Sequence, residues 1–154
     1  EDTNFGDGKY LLNYTEGIES YDNYDEYGNL ITYRSNKETT VYLWSYSGRY
    51  MMAEIRGATY DLVKVALGRT PESLSRDNYI DKKELEKLRE LLPQAHITIY
   101  DYEPQVGVKY MSEPTGRVSG FHFDNQGRLS KTYRTGEDGE LQLTEYNTYH
   151  YTEQ

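Results

Sequence analysis

A chain of 154 residues is long enough for one domain with a hydrophobic core. Its net charge of −9 argues against nucleic acid and against an anionic lipid surface, both of which call for a basic patch, and the absence of Cys excludes disulfides, thiol catalysis and Cys-ligated zinc. Nothing approaches the run of about 18 apolar residues that marks a membrane-spanning helix, so no membrane insertion is expected.

The chain begins at Glu1 rather than Met, which predicts a piece of a longer protein or a processed product. It carries 18 Tyr against 3 Phe and 1 Trp, with 13 Gly. Tyr fits a half-buried pleated surface and Gly fits tight turns, so the composition predicts aromatic strands joined by short turns. Mean hydropathy is −0.94, which predicts a thin core in which Tyr rings do much of the burying.

Residues 1–56 read as strands and turns. In "GDGKYLLNY" (Gly6–Tyr14) an Asp7-Gly8 turn precedes a strand, and "GNLITYRS" (Gly28–Ser35) opens a second on Gly. "TVYLWSY" (Thr40–Tyr46) is a third, with Val41 and Leu43 on one side and Tyr42, Trp44 and Tyr46 on the other. Ser47-Gly48 turns the chain, and "YMMAEIR" (Tyr50–Arg56) returns as the hairpin partner. At Gly57 the period changes. Thr59 is the expected N-cap of a helix with Leu62, Val65 and Ala66 on its buried face and Gly68 at C′. "TPES" (Thr70–Ser73) is another helix start, with Pro71 in the first turn. "DKKELEKLRELLP" (Asp81–Pro93) is the clearest helix: Asp81 and Glu84 have capping-box spacing, Leu85, Leu88 and Leu92 form a stripe, and Pro93 ends it. Strands then return. "HITIYDY" sets Ile97 and Ile99 against Thr98, Tyr100 and Tyr102, and Gly116, Gly127 and Gly139, at spacings of 11 and 12, each open a further strand. The organisation predicted is one domain over 1–154: strands over 1–56, a helical insert over 57–93 and strands over 94–154. Its fold class is α+β, mainly antiparallel β, with a two-helix insert packed on the sheet.

One phrase is written twice. "YDEYGNLITY" (Tyr24–Tyr33) and "FDNQGRLSKTY" (Phe123–Tyr133) both run aromatic, Asp, two variable residues, Gly, a polar residue, Leu. Asp accepts from backbone N–H groups and Gly supplies a positive φ three residues later, so Asp25, Gly28, Asp124 and Gly127 are read as turn residues. Leu then re-enters a strand facing the core, and the flanking aromatics sit on opposite arms of the hairpin.

With these two phrases, the chain resembles the bacterial RHS/YD-repeat proteins, named for the Tyr-Asp pair. The run "EPTGRVSGFHFDNQGRLSKTYRTGEDGELQ" (Glu113–Gln142) carries most of the likeness, with Val41–Asp61 and Leu92–Gly116 similar in kind. Phe123 stands where the family has Tyr, and Glu113 where it has Asp. The resemblance implies a large, secreted or cell-surface parent protein built from many repeats. Some members wrap a β-sheet shell around a toxin cargo, and some have been proposed to bind carbohydrate. It implies that the partners of this chain are neighbouring repeats of its own parent.

Few residues suggest chemistry. His96, His122 and His150 lack metal-ligand spacing, and the acidic stretches "YDNYDEYGN" and "TGEDGE" lack the calcium-loop pattern, so no metal and no cofactor is expected. No nucleophile elbow, phosphate loop or zinc-protease helix occurs. The reading is therefore a non-catalytic structural or interaction module. A second reading is a carbohydrate-binding module whose rows Tyr42/Trp44/Tyr46 and Tyr100/Tyr102 stack on sugar rings; against it, the same rings read as sheet core. A third is a glycoside-active enzyme with two carboxylates about 5–10 Å apart.

Overall fold

The computed structural model describes residues 19–149, so the strand read over Gly6–Tyr14, and His150, lie outside the described residues. The chain divides between His96 and Ile97 into two compact units.

The described part of the first unit begins with four antiparallel strands paired in chain order: β1 (Ser20–Tyr24), β2 (Leu30–Arg34), β3 (Thr39–Ser45) and β4 (Tyr50–Arg56). Along β3 the alternation is regular. Val41, Leu43 and Ser45 are buried while Tyr42 and Trp44 are half-buried. The strand partners of the inward residues, Ile55 and Ala53, are buried too. Between Leu43 and Trp44 the register slips by one residue, which β4 absorbs with the adjacent buried pair Met52 and Ala53.

Three short helices follow, all within residues 57–93. Helix α1 (Tyr60–Leu67) is capped by the Thr59 hydroxyl, which accepts from Leu62 N–H, and closed by Gly68 in the left-handed region. Its buried residue is Val63; Leu62 is 48% and Val65 80% exposed. The predicted face Leu62/Val65/Ala66 is thus displaced, because a two-turn helix leaves more than one apolar stripe open and packing selects Tyr60/Val63/Leu67. Helix α2 (Pro71–Leu74) starts on Thr70 with Pro71 in its first turn. Helix α3 (Lys82–Leu91) is capped by the Asp81 carboxylate, which accepts from Lys83 N–H, and it buries Leu85 and Leu88, with Leu92 following at the C-cap. The hydroxyl of Ser45 donates to the carbonyl of Asp77 at 3.2 Å, so the helix-bearing segment lies on the Val41/Leu43/Ser45 side of the sheet.

The second unit is a meander of β5 (His96–Glu103), β6 (Gly107–Ser112), β7 (Val118–Phe123), β8 (Leu129–Thr135) and β9 (Leu141–Tyr146), each antiparallel to the next. Ile97 and Ile99 are buried, and Thr98, Tyr100 and Tyr102 half-buried. All six residues of β9 are exposed. Mainly antiparallel sheet with a few short helices is an α+β fold. Among the described residues the buried apolar set is aliphatic, from Ile31 to Ile99, and contains no Tyr. The thin, Tyr-filled core predicted from composition is therefore corrected: the rings sit at half-burial and shield the aliphatic layer, consistent with a polar phenol tip that stays near water.

Candidate functional site

The phrase that the sequence repeats is a five-residue turn. Asp25 N–H donates to Asn29 O and Gly28 N–H to Asp25 O; Asp124 N–H donates to Arg128 O and Gly127 N–H to Asp124 O, all at 2.8–3.1 Å. The same two bonds recur from Glu113 to Arg117 through Gly116 and from Gly136 to Glu140 through Gly139. The repeated phrase marks two of these four turns, and the glycine rhythm of Gly116 and Gly139 marks the other two. The backbone makes the turn whatever stands first, provided Gly takes the left-handed fourth place, with φ of 75–85° at all four. Where Asp does stand first, its carboxylate adds a clasp. Asp25 accepts from Tyr27 N–H, Asn29 N–H and the Asn29 amide at 2.8–3.0 Å. Asp124 accepts from Gln126 N–H, Arg128 N–H and the Arg128 guanidinium at 2.9–3.0 Å. For Asp25, burial works to raise the carboxyl pKa, and hydrogen bonds led by those from Asn29 outweigh it and lower the value. For Asp124, the Arg128 backbone bond leads in lowering it. The aromatic before each Asp pairs with the Leu, Tyr24 with Leu30 and Phe123 with Leu129, rather than with the later Tyr.

The first turn is also a structural junction. The Asn29 side chain donates to Gly48 O at 2.7 Å, and Gly48 N–H donates to Ser75 O at 2.9 Å, tying the β1–β2 turn to the β3–β4 turn and to the end of α2. Arg69 braces the same segment with both guanidinium ends on Asp77, at 2.7 and 3.1 Å, and a third bond to Ser73 O.

The candidate aromatic rows fall in separate units. Tyr42 and Trp44 share the sheet face opposite Val41 and Leu43, and the Trp44 N–H donates to Leu30 O at 2.9 Å. The Thr32–Val41 pairing sets Ile31 level with Tyr42 on that same face, where Ile31 is fully buried. The rings of this face thus cover an aliphatic residue of their own. Burial and then the carboxylate of Glu54, its cross-strand partner, push the Tyr42 phenol pKa up. On the neighbouring strand the Glu19 carboxylate, bonded to its hydroxyl, pushes Tyr33 up to about 12. Tyr46 leaves the row: its φ is +55°, at the turn, and its ring stands edge-on to Tyr50 with centroids 5.4 Å apart. In the second unit the rings of Tyr100 and Tyr102 are 6.4 Å apart and tilted by 41°.

That unit also holds a hollow of about 730 Å³ between the tips of the β5–β6 and β7–β8 hairpins. Nearby, His122 Nδ1 lies 2.8 Å from the Ser130 hydroxyl. The same hydroxyl lies 3.0 Å from His122 O, so imidazole and backbone carbonyl of one residue both hold it. Among the described residues no group of three or more His, Asp or Glu could hold a metal. The three carboxylates with a clear shift, Asp22, Asp25 and Asp124, all move down, whereas a glycosidase acid needs the opposite. No helix among the described residues is long and apolar enough to cross a membrane.

No family model matches the chain, and no curated protein matches it. Among solved structures it is similar to the crystal structure of TcdB2-TccC3 without its hypervariable C-terminal region. The likeness has 14% sequence identity and a TM-score of 0.46, and covers 75% of this chain. This chain spans 5% of that one.

Proposed function

We propose that this chain is a non-catalytic structural and interaction module of a secreted or cell-surface repeat protein, and that its partners are neighbouring hairpins of its own parent chain. The observation that carries the reading is the turn made four times with the same pair of backbone bonds, three of them in sequence along the second unit. Each use adds an antiparallel strand, and the last strand, β9, is exposed along its whole length, with Leu143 at 54% and Tyr146 at 62%. An edge strand carrying apolar side chains is suited to receive another strand.

The test is to append a duplicate of residues 124–146 after Gln154 and to follow amide hydrogen exchange. The reading expects the appended hairpin to protect β9 amides and to raise the melting temperature. Unchanged exchange in β9, with an unprotected added segment, would sink it. A second reading, sugar stacking on Tyr100 and Tyr102, is supported by their half-burial on one face of β5. It expects a glycan-array signal that the Tyr100→Ala/Tyr102→Ala double variant loses while still folded.

A further inference from the structure

Strands β6 and β7 stop pairing before either of them ends. Their ladder runs Ser112–Val118, Met111–Ser119, Tyr110–Gly120. Beyond it β6 runs on to Gly107 and β7 to Phe123. On their outer sides both stretches stay paired: Gly107 and Val108 with Glu103 and Tyr102 of β5, and Phe121, His122 and Phe123 with Thr132, Lys131 and Leu129 of β8. Each of these outer pairings slips register at this level, between Asp101 and Tyr102 on one side and between His122 and Phe123 on the other. A bulge bends its strand and adds local twist. The extra residues are Lys109 on β6 and Ser130 on β8, so one bulge bends an inner strand and the other bends the outer partner of β7.

The hollow opens at the fork that results and runs on to Tyr133 of β8 and Leu141 of β9. Gly107, Lys109 and Tyr110 line one wall, and Gly120, Phe121 and Phe123 the other. The Phe123 ring reaches across with its tip: Cζ lies 3.4 Å from the place that a Cβ on Gly107 would take. Antiparallel strands send the N–H and C=O of alternate residues to either side. Here two strand edges face one another, each with its ladder partner on the outer side alone. Around the hollow Lys109 stands with Glu103 and Asp124, a mixed and small charge, so nothing selects a highly charged ligand. The volume of about 730 Å³ lies within the ordinary range of ligand sites.

We propose that the fork between β6 and β7 binds an extended peptide, which continues the interrupted ladder through main-chain hydrogen bonds and seats an aromatic or branched apolar side chain beside Phe121. A ladder that already runs up to Tyr110–Gly120 supplies register and direction for a strand. It offers no such match to a sugar ring. The hollow meets β9 only at its first residue, Leu141, so the amides of 142–146 distinguish its success or failure from that of the module reading.

The probe is a capped seven-residue peptide alternating threonine with tyrosine or valine, added to the full chain at concentrations up to about a millimolar. Amide exchange within 107–110 and 120–123 is expected to slow at least about tenfold, with residues 142–146 unchanged. Two further versions are N-methylated on one or the other set of alternate backbone nitrogens, and at least one should bind about tenfold more weakly, because a donor to the ladder is gone. Protection confined to β9 would make the peptide an ordinary edge ligand and overturn the proposal. Equal binding of all three versions would reduce the fork to an apolar hollow, and absence of any slowing would leave it without a strand ligand. An oligosaccharide panel that slows the fork amides where the peptide does not would replace the occupant.

Discussion

Gly28 and Gly48 have nearly the same backbone, at φ +85° and +71°, and quite different surroundings. A Cβ on Gly28 meets nothing within 4 Å. Gly28→Ala therefore incurs only the left-handed penalty of an L residue, about 1–2 kcal/mol. A Cβ on Gly48 would stand 2.6 Å from Tyr27 Cδ2 and 2.7 Å from the Asn29 amide nitrogen. The phenol ring can swing, since Tyr27 is exposed, but Asn29 is held by both Asp25 and Gly48 O. Making room means giving up those bonds, which adds about 1–3 kcal/mol. Gly48→Ala should then cost about 2–5 kcal/mol in all, and should exceed Gly28→Ala by roughly the value of the Asn29 bonds. Urea unfolding of both variants, followed by tryptophan fluorescence, gives the two figures. Adding Asn29→Ala to each sharpens the comparison, because it should shrink the Gly48 penalty and leave the Gly28 penalty alone. Equal costs for the two glycines, or no change on removing Asn29, would refute the junction reasoning.

Three further outcomes follow from the same structure. The folded-state pKa of Asp25 is depressed, so its stabilisation is complete above the unfolded value of about 3.9 and is lost as pH falls through the lower folded value. Asp25→Asn should thus be less stable than the parent by about 1–2 kcal/mol at neutral pH, with a gap that closes in acid; a gap of constant size would show that the charge plays no part. Trp44→Ala should cost about 2 kcal/mol, because the half-buried ring shares the sheet face of buried Ile31 and its N–H holds Leu30 O; a fully stable variant would mean that the ring is a free platform. Val63→Ala should cost about 2 kcal/mol and Val65→Ala less than about 0.5 kcal/mol, and the reverse order in thermal melts would contradict the α1 face.

Much of this architecture is legible in the residues. Thr59, Gly68, Pro71 and Asp81 mark helix ends by chemistry that acts within one turn of chain. The Asp25 and Asp124 turns are equally local. The turns at Glu113 and Gly136 lack the leading Asp and show in the sequence only through the spacing of Gly116 and Gly139, because only the backbone of the first residue is needed and any side chain can stand there. The α1 face is ambiguous in eight residues, where Leu62/Val65/Ala66 and Tyr60/Val63/Leu67 are both apolar. On β3 both sides are apolar, and what separates them is Ser45, a small hydroxyl that reaches the carbonyl of Asp77 thirty-two positions on. The fork leaves no composition signal of its own. It arises from two bulges in different hairpins, each defined by a partner strand.

The pairing of every strand with its successor in each unit has a kinetic side. No ladder within a unit waits on a distant segment, since each is closed by its own turn. Sequence separation between partners is small, so the entropy of loop closure is small, and sheets of this kind form faster than Greek-key sandwiches of equal size. A chain assembled in this way can also be lengthened by one hairpin at a time without re-routing the folding of the strands already made.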